Sequence, residues 1–327
     1  MIRWGILGCG HIARKFAADL KLVKDAELVA IGAREQATAD AFAKEFPVKH
    51  KHGSYEALVQ NPAVDVIYIA TPHSHHREHA LLCLKYKKAV LCEKAFAMNL
   101  REAKEMIDFA KAQGVFIMEA FWTKFLPHYQ LVRQLIANDK VGTIKYISAE
   151  FGYIPVPPIR SRLFDPQLGG GSLYDIGIYP VFLAVDILGR PDTIHASMTK
   201  AATGVDAQCA IRFDYSDGAI AQLFSSFSVN LAGAANIAGD KGRIHFVNRF
   251  HGPTTTLEFY PDRSDDKDII SFEKAEGFGY EYEARHVTEC LQKGLIESPV
   301  LTHQQTLLVM ETLDRIREKA GISYPMD

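Results

Sequence analysis

Apolar and polar positions along the chain fall into two regimes. Up to about residue 121, short apolar runs alternate with segments of helical spacing. Ile2 to Leu7 is an apolar run. Ile12, Ala13, Phe16, Ala17 and Leu20 then lie on one side of a helix. Leu28 to Ala33 predicts a second strand, and Thr38 to Phe46 a helix stopped by Pro47. Val64 to Ala70 is nearly all apolar, as a strand covered on both faces should be. A helix over His76 to Tyr86, a strand over Ala89 to Cys92, a helix over Leu100 to Gln113 and a strand over Val115 to Met118 complete the series. From Trp122 onward the period changes. A helix over Tyr129 to Asn138 and a strand over Thr143 to Phe151 lead into a Pro- and Gly-rich loop, Gly152 to Gly171. After a helix near Gly177 to Leu188, some ninety residues alternate as antiparallel strands do, with a hairpin turn at Ser216-Asp217-Gly218 and another at Gly239 to Gly242. Helices over Glu281 to Lys293 and Gln304 to Ala320 follow.

This order predicts an α/β fold. Residues 1–121 form a Rossmann-type doubly wound parallel sheet, which takes ligands at the carboxyl ends of its strands. Residues 122–327 form an α+β domain with a large, mostly antiparallel open sheet. Two domains suit 327 residues. The balance of 48% hydrophobic and 23% charged residues, with net charge −2, gives no reason to expect a nucleic acid or an anionic membrane as partner. No apolar stretch is expected to reach the ~18 residues of a membrane span. The chain enters a strand at once, so no signal peptide is expected. Five cysteines, Cys9, Cys83, Cys92, Cys209 and Cys290, are scattered at no metal-ligand spacing, which suits a reducing cytoplasm.

The first apolar run ends in Gly8-x-Gly10-x-x-Ala13 and passes into a helix. That context is what the dinucleotide fingerprint requires. Gly8 permits a tight turn, Gly10 admits a phosphate close to the backbone, and Ala13 lets helix and strand pack. The helix N-terminus, opened by His11 and Ile12, offers N–H groups and partial positive charge to the pyrophosphate. In an NAD-preferring site an acid closes the second strand. Here Ala33 stands in that place and Arg34 follows. A carboxylate would repel a 2′-phosphate, whereas arginine grips one bidentately, so the expected cofactor is NADP, with NAD the lesser expectation. The bland alternative leaves Arg34 as a solvated charge and gives the ribose to Glu35.

Chemistry-bearing residues collect at the predicted strand ends. Thr71, Pro72 and His73 follow the third strand, with His75, His76 and His79 close behind. His75 and His79, one helical turn apart, are a possible metal pair, but no nearby carboxylate or cysteine completes a set, and no metal is expected. His76 is expected to open a helix and touch the nicotinamide half, and His75 and His79 to be partly exposed. Glu93-Lys94-Ala95 ends the fourth strand. An ammonium there can bind a substrate oxygen and favour its deprotonated form; the alternative is a solvated lysine. Gly169-Gly170-Gly171 precedes Asp175 and Tyr179, four apart and so on one helix face. A tyrosine serves as proton donor and acceptor when a cation lowers its pKa of ~10, and Lys94 is the candidate cation. Otherwise Tyr179 is a buried hydrogen-bonded residue. Pro180 is hard to place outside a first turn. Trp122, with Phe121 and Phe125, forms either an apolar wall for a ring-bearing substrate or interdomain core. Phe151 and Arg162 are further substrate candidates, and Arg160 and Arg162 can reach substrate, cofactor or neither.

With these residues assembled, the chain resembles the Gfo/Idh/MocA oxidoreductases over essentially its full length. The markers are the glycine turn, Thr71-Pro72 with His76, Glu93-Lys94, and Gly169 to Gly171 followed by Asp175-x-Gly-x-Tyr179. Val90 to Lys94, Met118 to Trp122 with Phe125, and Asp175 to Tyr179 make it most similar, within that family, to dimeric dihydrodiol dehydrogenases and NADP-dependent D-xylose dehydrogenases. The resemblance implies that Lys94 is the catalytic lysine, Tyr179 the proton donor/acceptor and Asp175 their support. It further implies a dinucleotide held at the residues named above, a sugar, polyol or cyclic diol substrate, and a homodimer through the open sheet. One departure stands out: the family's proline after the lysine is Ala95 here, and alanine favours a trans peptide. A protein of this fold can instead be a dinucleotide-sensing regulator, since fold alone does not establish chemistry.

Overall fold

The computed structural model describes residues 1–156, 161–261, 266–272 and 276–327. The chain divides into two compact units: residues 1–125 with 276–307, and residues 126–275 with 308–327.

In the first unit six strands, β1 (Ile2–Leu7), β2 (Ala26–Gly32), β3 (His50–His52), β4 (Val66–Ile69), β5 (Ala89–Glu93) and β6 (Ile117–Ala120), form one sheet. Their order is β3-β2-β1-β4-β5-β6, and every pairing is parallel. The connecting helices are α1 (His11–Leu20), α2 (Gln36–Glu45), α3 (Tyr55–Val59), α4 (His76–Lys85) and α5 (Leu100–Gln113). β4 is buried at every position, which is why it carries no polar face. Phe16 of α1 stacks on Tyr68 of β4 with ring centroids 3.8 Å apart, and Trp4 tilts against Phe16. Burying a side chain of that size contributes roughly 1.5–3 kcal/mol. α5 starts where the Asn99 side chain accepts the Glu102 N–H, and stops at Gly114 with φ 62°. The sequence pattern does not reveal β3 and α3. They are three and five residues long, and the strand reads His-Lys-His, with no apolar face.

In the second unit, α6 (Pro127–Ala137) and α7 (Ile178–Leu188) accompany an eight-stranded sheet in the order β14-β13-β12-β11-β7-β10-β9-β8. The strands are β7 (Ile144–Gly152), β8 (Thr193–Lys200), β9 (Asp206–Asp214), β10 (Ile220–Ser226), β11 (Ala235–Gly239), β12 (Gly242–Phe246), β13 (Thr256–Pro261) and β14 (Asp268–Ser271). All pairings are antiparallel except β7 with β10. The sheet is two-faced: Ile147, Ile194, Ile211, Leu223 and Ile237 are buried, and α7 packs on β7 and β10. Residues 281–292 form α8 and 303–320 form α9, and the division between the units falls within α9.

One expectation needs correcting. The helical run Pro166–Leu188 is long and apolar enough to cross a membrane by length and composition, although no such stretch was expected. In its most apolar window 83% of residues are buried, so it is a core helix of the second unit. A wide π turn, Leu173–Gly177, delivers the chain into α7. It starts α7 at Ile178 and so puts Pro180 in the first turn, where its missing N–H costs little.

Gly171, at φ 118°, enters that turn, and a Cβ there would collide with Asp206 Oδ1. Asp206 is fully buried and accepts both the Ser172 hydroxyl and the Leu173 N–H at 2.7 Å. Burial pushes its carboxyl up to about 6. Gly171→Ala should therefore lower the thermal midpoint well beyond Gly114→Ala, which adds the same kind of backbone strain in open space, ~1 kcal/mol. Equal midpoints in the two variants would show that the Asp206 contact does not constrain the turn.

Candidate functional site

The first unit forms a glycine turn whose backbone can receive a dinucleotide. Gly8 holds φ 101°, and a Cβ on it would lie 3.2 Å from Ala70 O and from Thr71 Cγ2. Gly8 N–H donates to Gly32 O at 2.9 Å, and Ala70 N–H to Leu7 O at 2.9 Å, so the ends of β1, β2 and β4 meet at this turn. At Gly10 the position a Cβ would fill is open, with nothing nearer than Ala70 O at 3.9 Å. Gly10 is also the N-cap of α1 and brings no capping side chain. Small residues, open space and an uncapped helix start at His11 and Ile12 fit a pyrophosphate. Cys9 packs in this turn, and burial pushes its thiol up to about 11. Ala33 is buried just past β2, its N–H on His52 O at 3.0 Å. Arg34 is exposed and, among the described residues, makes no ion pair.

Past β4 the histidines are committed to the backbone around Lys94. His73 Nε2 meets Lys94 O at 3.2 Å. His76 is fully buried, with Nδ1 on Ala95 O and Nε2 on Thr71 O, both at 2.8 Å. Burial pushes it down to about 4, so it is neutral and donates to one carbonyl only. His79, expected to be partly exposed, is 8% exposed instead, its Nδ1 3.0 Å from Thr71 Oγ1. Pro72 caps the short turn His73–His75.

Lys94 sits immediately past β5 and is half-buried. The Lys94–Ala95 peptide is cis, contrary to the expectation for alanine; the two ring contacts just given hold its flanking carbonyls. Glu93 takes the Tyr68 hydroxyl in a short hydrogen bond and the Lys94 N–H at 3.3 Å. Trp122 stacks on Tyr280 at 4.6 Å. Two buried acids that the sequence reading passed over lie in the same unit: Glu119 on β6, and Glu283 on α8. The available signal was an acid inside a strand otherwise apolar, Ile117-Met118-Glu119-Ala120.

The second unit gathers a separate set. Tyr179 is 7% exposed. Its ring lies 5.8 Å from that of Phe151 and 5.2 Å from that of His251, which itself stacks on Phe151 at 3.8 Å. Asp175, on the π turn, accepts from Arg162 Nη1 at 3.0 Å and from the Tyr153 hydroxyl at 3.4 Å. The unit thus brings Tyr179, Asp175, Phe151 and Arg162 together, whereas Lys94, Trp122 and the glycine turn belong to the first. His251 and Tyr153 were not foreseen, because both come from loop positions without a period. Arg160 lies outside the described residues. This set can orient a hydroxyl-bearing ring: aromatic faces for its apolar side, a phenol for its proton and a paired carboxylate for its polar edge.

Residues 2–121 match the Gfo/Idh/MocA oxidoreductase family, NAD-binding Rossmann fold, and residues 129–245 match the Gfo/Idh/MocA C-terminal domain. The chain is 35% identical over 336 residues to the trans-1,2-dihydrobenzene-1,2-diol dehydrogenase of Bos taurus, covering 100% of this chain and 99% of that protein. The enzyme of the same name from Homo sapiens is also 35% identical, over 337 residues, with the same coverage. Among solved structures, a 3-ketoreductase from Actinomadura kijaniata in complex with NADP and TDP-benzene superposes with a TM-score of 0.87 at 24% identity, covering 98% of each chain. An aldose-aldose oxidoreductase from Caulobacter crescentus gives 0.89 at 21% identity, covering 98% of this chain and 97% of that one.

Proposed function

The chain belongs to the Gfo/Idh/MocA family of NAD(P)-binding oxidoreductases, and from that premise we propose that it is an NADP-dependent dehydrogenase acting on a carbinol of a sugar, polyol or cyclic trans-diol. The observation that carries this reading is the fixed Lys94 at the carboxyl end of β5, the ligand end of a doubly wound sheet. Bound nicotinamide supplies or accepts the hydride at C4. Gly8, Gly10 and the start of α1 hold the pyrophosphate. Lys94 stabilises the alkoxide that develops as hydride leaves. Tyr179 takes the hydroxyl proton and returns it in the reverse direction. Asp175, paired with Arg162, orients the substrate's polar edge, and Phe151 and Trp122 supply apolar surface. The relatives named for a cyclic trans-diol support the diol end of the substrate range. Tyr179→Phe should cut kcat by roughly 10²-fold or more, the scale of lost acid–base catalysis. Near-normal turnover would remove Tyr179 from that role.

NADP rather than NAD is favoured by Ala33 in the acid's place and by the exposed Arg34 beside it. kcat/KM should be higher for NADP by about tenfold or more, and Arg34→Glu should erase the difference. A tenfold preference for NAD in the unaltered enzyme would contradict the assignment.

The second unit also supports a homodimer. The large sheet holds a concavity of about 690 Å³ whose lining includes Ser148, Glu150, Ala210, Arg212, Gln222 and Phe224. Light scattering after gel filtration should give twice the chain mass of 36.5 kDa. A monomer at micromolar concentration would contradict this part of the reading.

A further inference from the structure

One buried acid in the first unit has no part in the chemistry just described, yet it reaches the lysine loop. Glu119 is 1% exposed. Its Oε1 accepts the Phe96 N–H at 3.2 Å, and its Oε2 accepts the Thr306 hydroxyl of α9 at 3.1 Å. Phe96 is two residues past Lys94. Between Lys94 and Ala97 the lysine is the only polar side chain, so the backbone fixes the loop. His73 and His76 hold the Lys94 and Ala95 carbonyls from the α4 side, and the Cys92 thiol faces Phe96 O at 3.8 Å. Glu119 makes the tie to β6 and α9. We propose that Glu119 is a positioning residue for Lys94: its carboxylate grips the Phe96 N–H and so sets where the lysine ammonium stands. This rests on the reading of Lys94 as the alkoxide stabiliser.

The surroundings give the tie a charge dependence. Glu119 is faced by Cys92, Glu93 and Lys94 from β5 and its end and by Glu283 from α8, while His303 of α9 stands against β6, its Nε2 3.0 Å from Ile117 O. Glu283 is fully buried, and neither of its oxygens has a hydrogen-bond partner among the described residues. Burial and the neighbouring carboxylates push its carboxyl well up. Burial also pushes Glu119 up to about 7, against the pull of Thr306, the Phe96 N–H and Lys94. An ionised acceptor makes the stronger hydrogen bond. As pH falls through about 7 the grip loosens, and lysine placement loosens with it.

The test compares Glu119→Gln, Glu119→Leu and Lys94→Ala in the full chain, with kcat and both KM values measured from about pH 5.5 to about pH 9. Glutamine keeps an acceptor for the Phe96 N–H but cannot ionise. Glutamine stands in for the neutral acid, so Glu119→Gln should hold kcat at alkaline pH at the reduced level that the parent shows below about 7, and should lose the acid limb near 7. Glu119→Leu should lose about tenfold or more in kcat with the cofactor KM little changed, since a small misplacement is enough. If the leucine variant does not fold, the glutamine profile decides: an acid limb that persists overturns the proposal. Loss of activity in Lys94→Ala alongside unaltered kcat and pH profile in both Glu119 variants also overturns it, and leaves the role of Lys94 standing. An active Lys94→Ala variant overturns that role instead, and the inference with it.

Discussion

The close approach of the β1 end to the β4 end is the constraint on which the first unit depends. β1 lies centrally in the sheet order β3-β2-β1-β4-β5-β6: the chain builds outward from it through β2 to β3, then crosses back to place β4 on its other side. That reversal opens a crevice where a dinucleotide can lie. It stays open only because the turn after Leu7 is small: at Gly8 a side chain would press on Ala70 and Thr71. Thr71 O then meets His76, whose other ring nitrogen meets Ala95 O. The glycine turn and the lysine loop thereby both pack on one buried neutral imidazole, which donates to one of the two carbonyls. Displacing the turn would displace the lysine.

The second unit solves a different problem. Asp175 and Tyr179 stand four residues apart, and Pro180 forbids an ordinary helix interior just there. The π turn resolves this by widening the chain before α7 begins. The turn is itself held by a buried carboxylate, Asp206, which can approach because residue 171 is glycine. Gly171 thus serves the geometry of the turn that carries Asp175, and its value lies in what it leaves room for.

Much of this was legible in the sequence because the causes are local. A strand, a glycine turn and a helix in succession declare themselves, and β1, α1, β5 and α5 lie where the period places them. Lys94 and Tyr179 stand out as candidates because each follows a clear punctuation: a strand end in one case, a glycine run in the other. What escaped was non-local. The parallel pairing of β7 with β10 joins strands some seventy residues apart. The return of residues 276–307 to the first unit leaves no trace in hydrophobic period. His251 and Tyr153 become neighbours of Tyr179 and Asp175 only through the folded sheet. Glu119 had a signal, a charge in an apolar strand, but its partners Phe96 and Thr306 lie 23 and 187 residues away.

The proposed reaction moves a hydride between a nicotinamide and a carbinol carbon. The most direct measurement follows absorbance at 340 nm with purified protein, NADP and a panel of aldoses, polyols and cyclic trans-diols, after cofactor binding has been confirmed by calorimetry. The account predicts sustained NADPH formation with at least one member of the panel, reversed when NADPH and the carbonyl product are supplied. Saturable cofactor binding with no turnover across the whole panel would contradict it and favour a dinucleotide-sensing regulator.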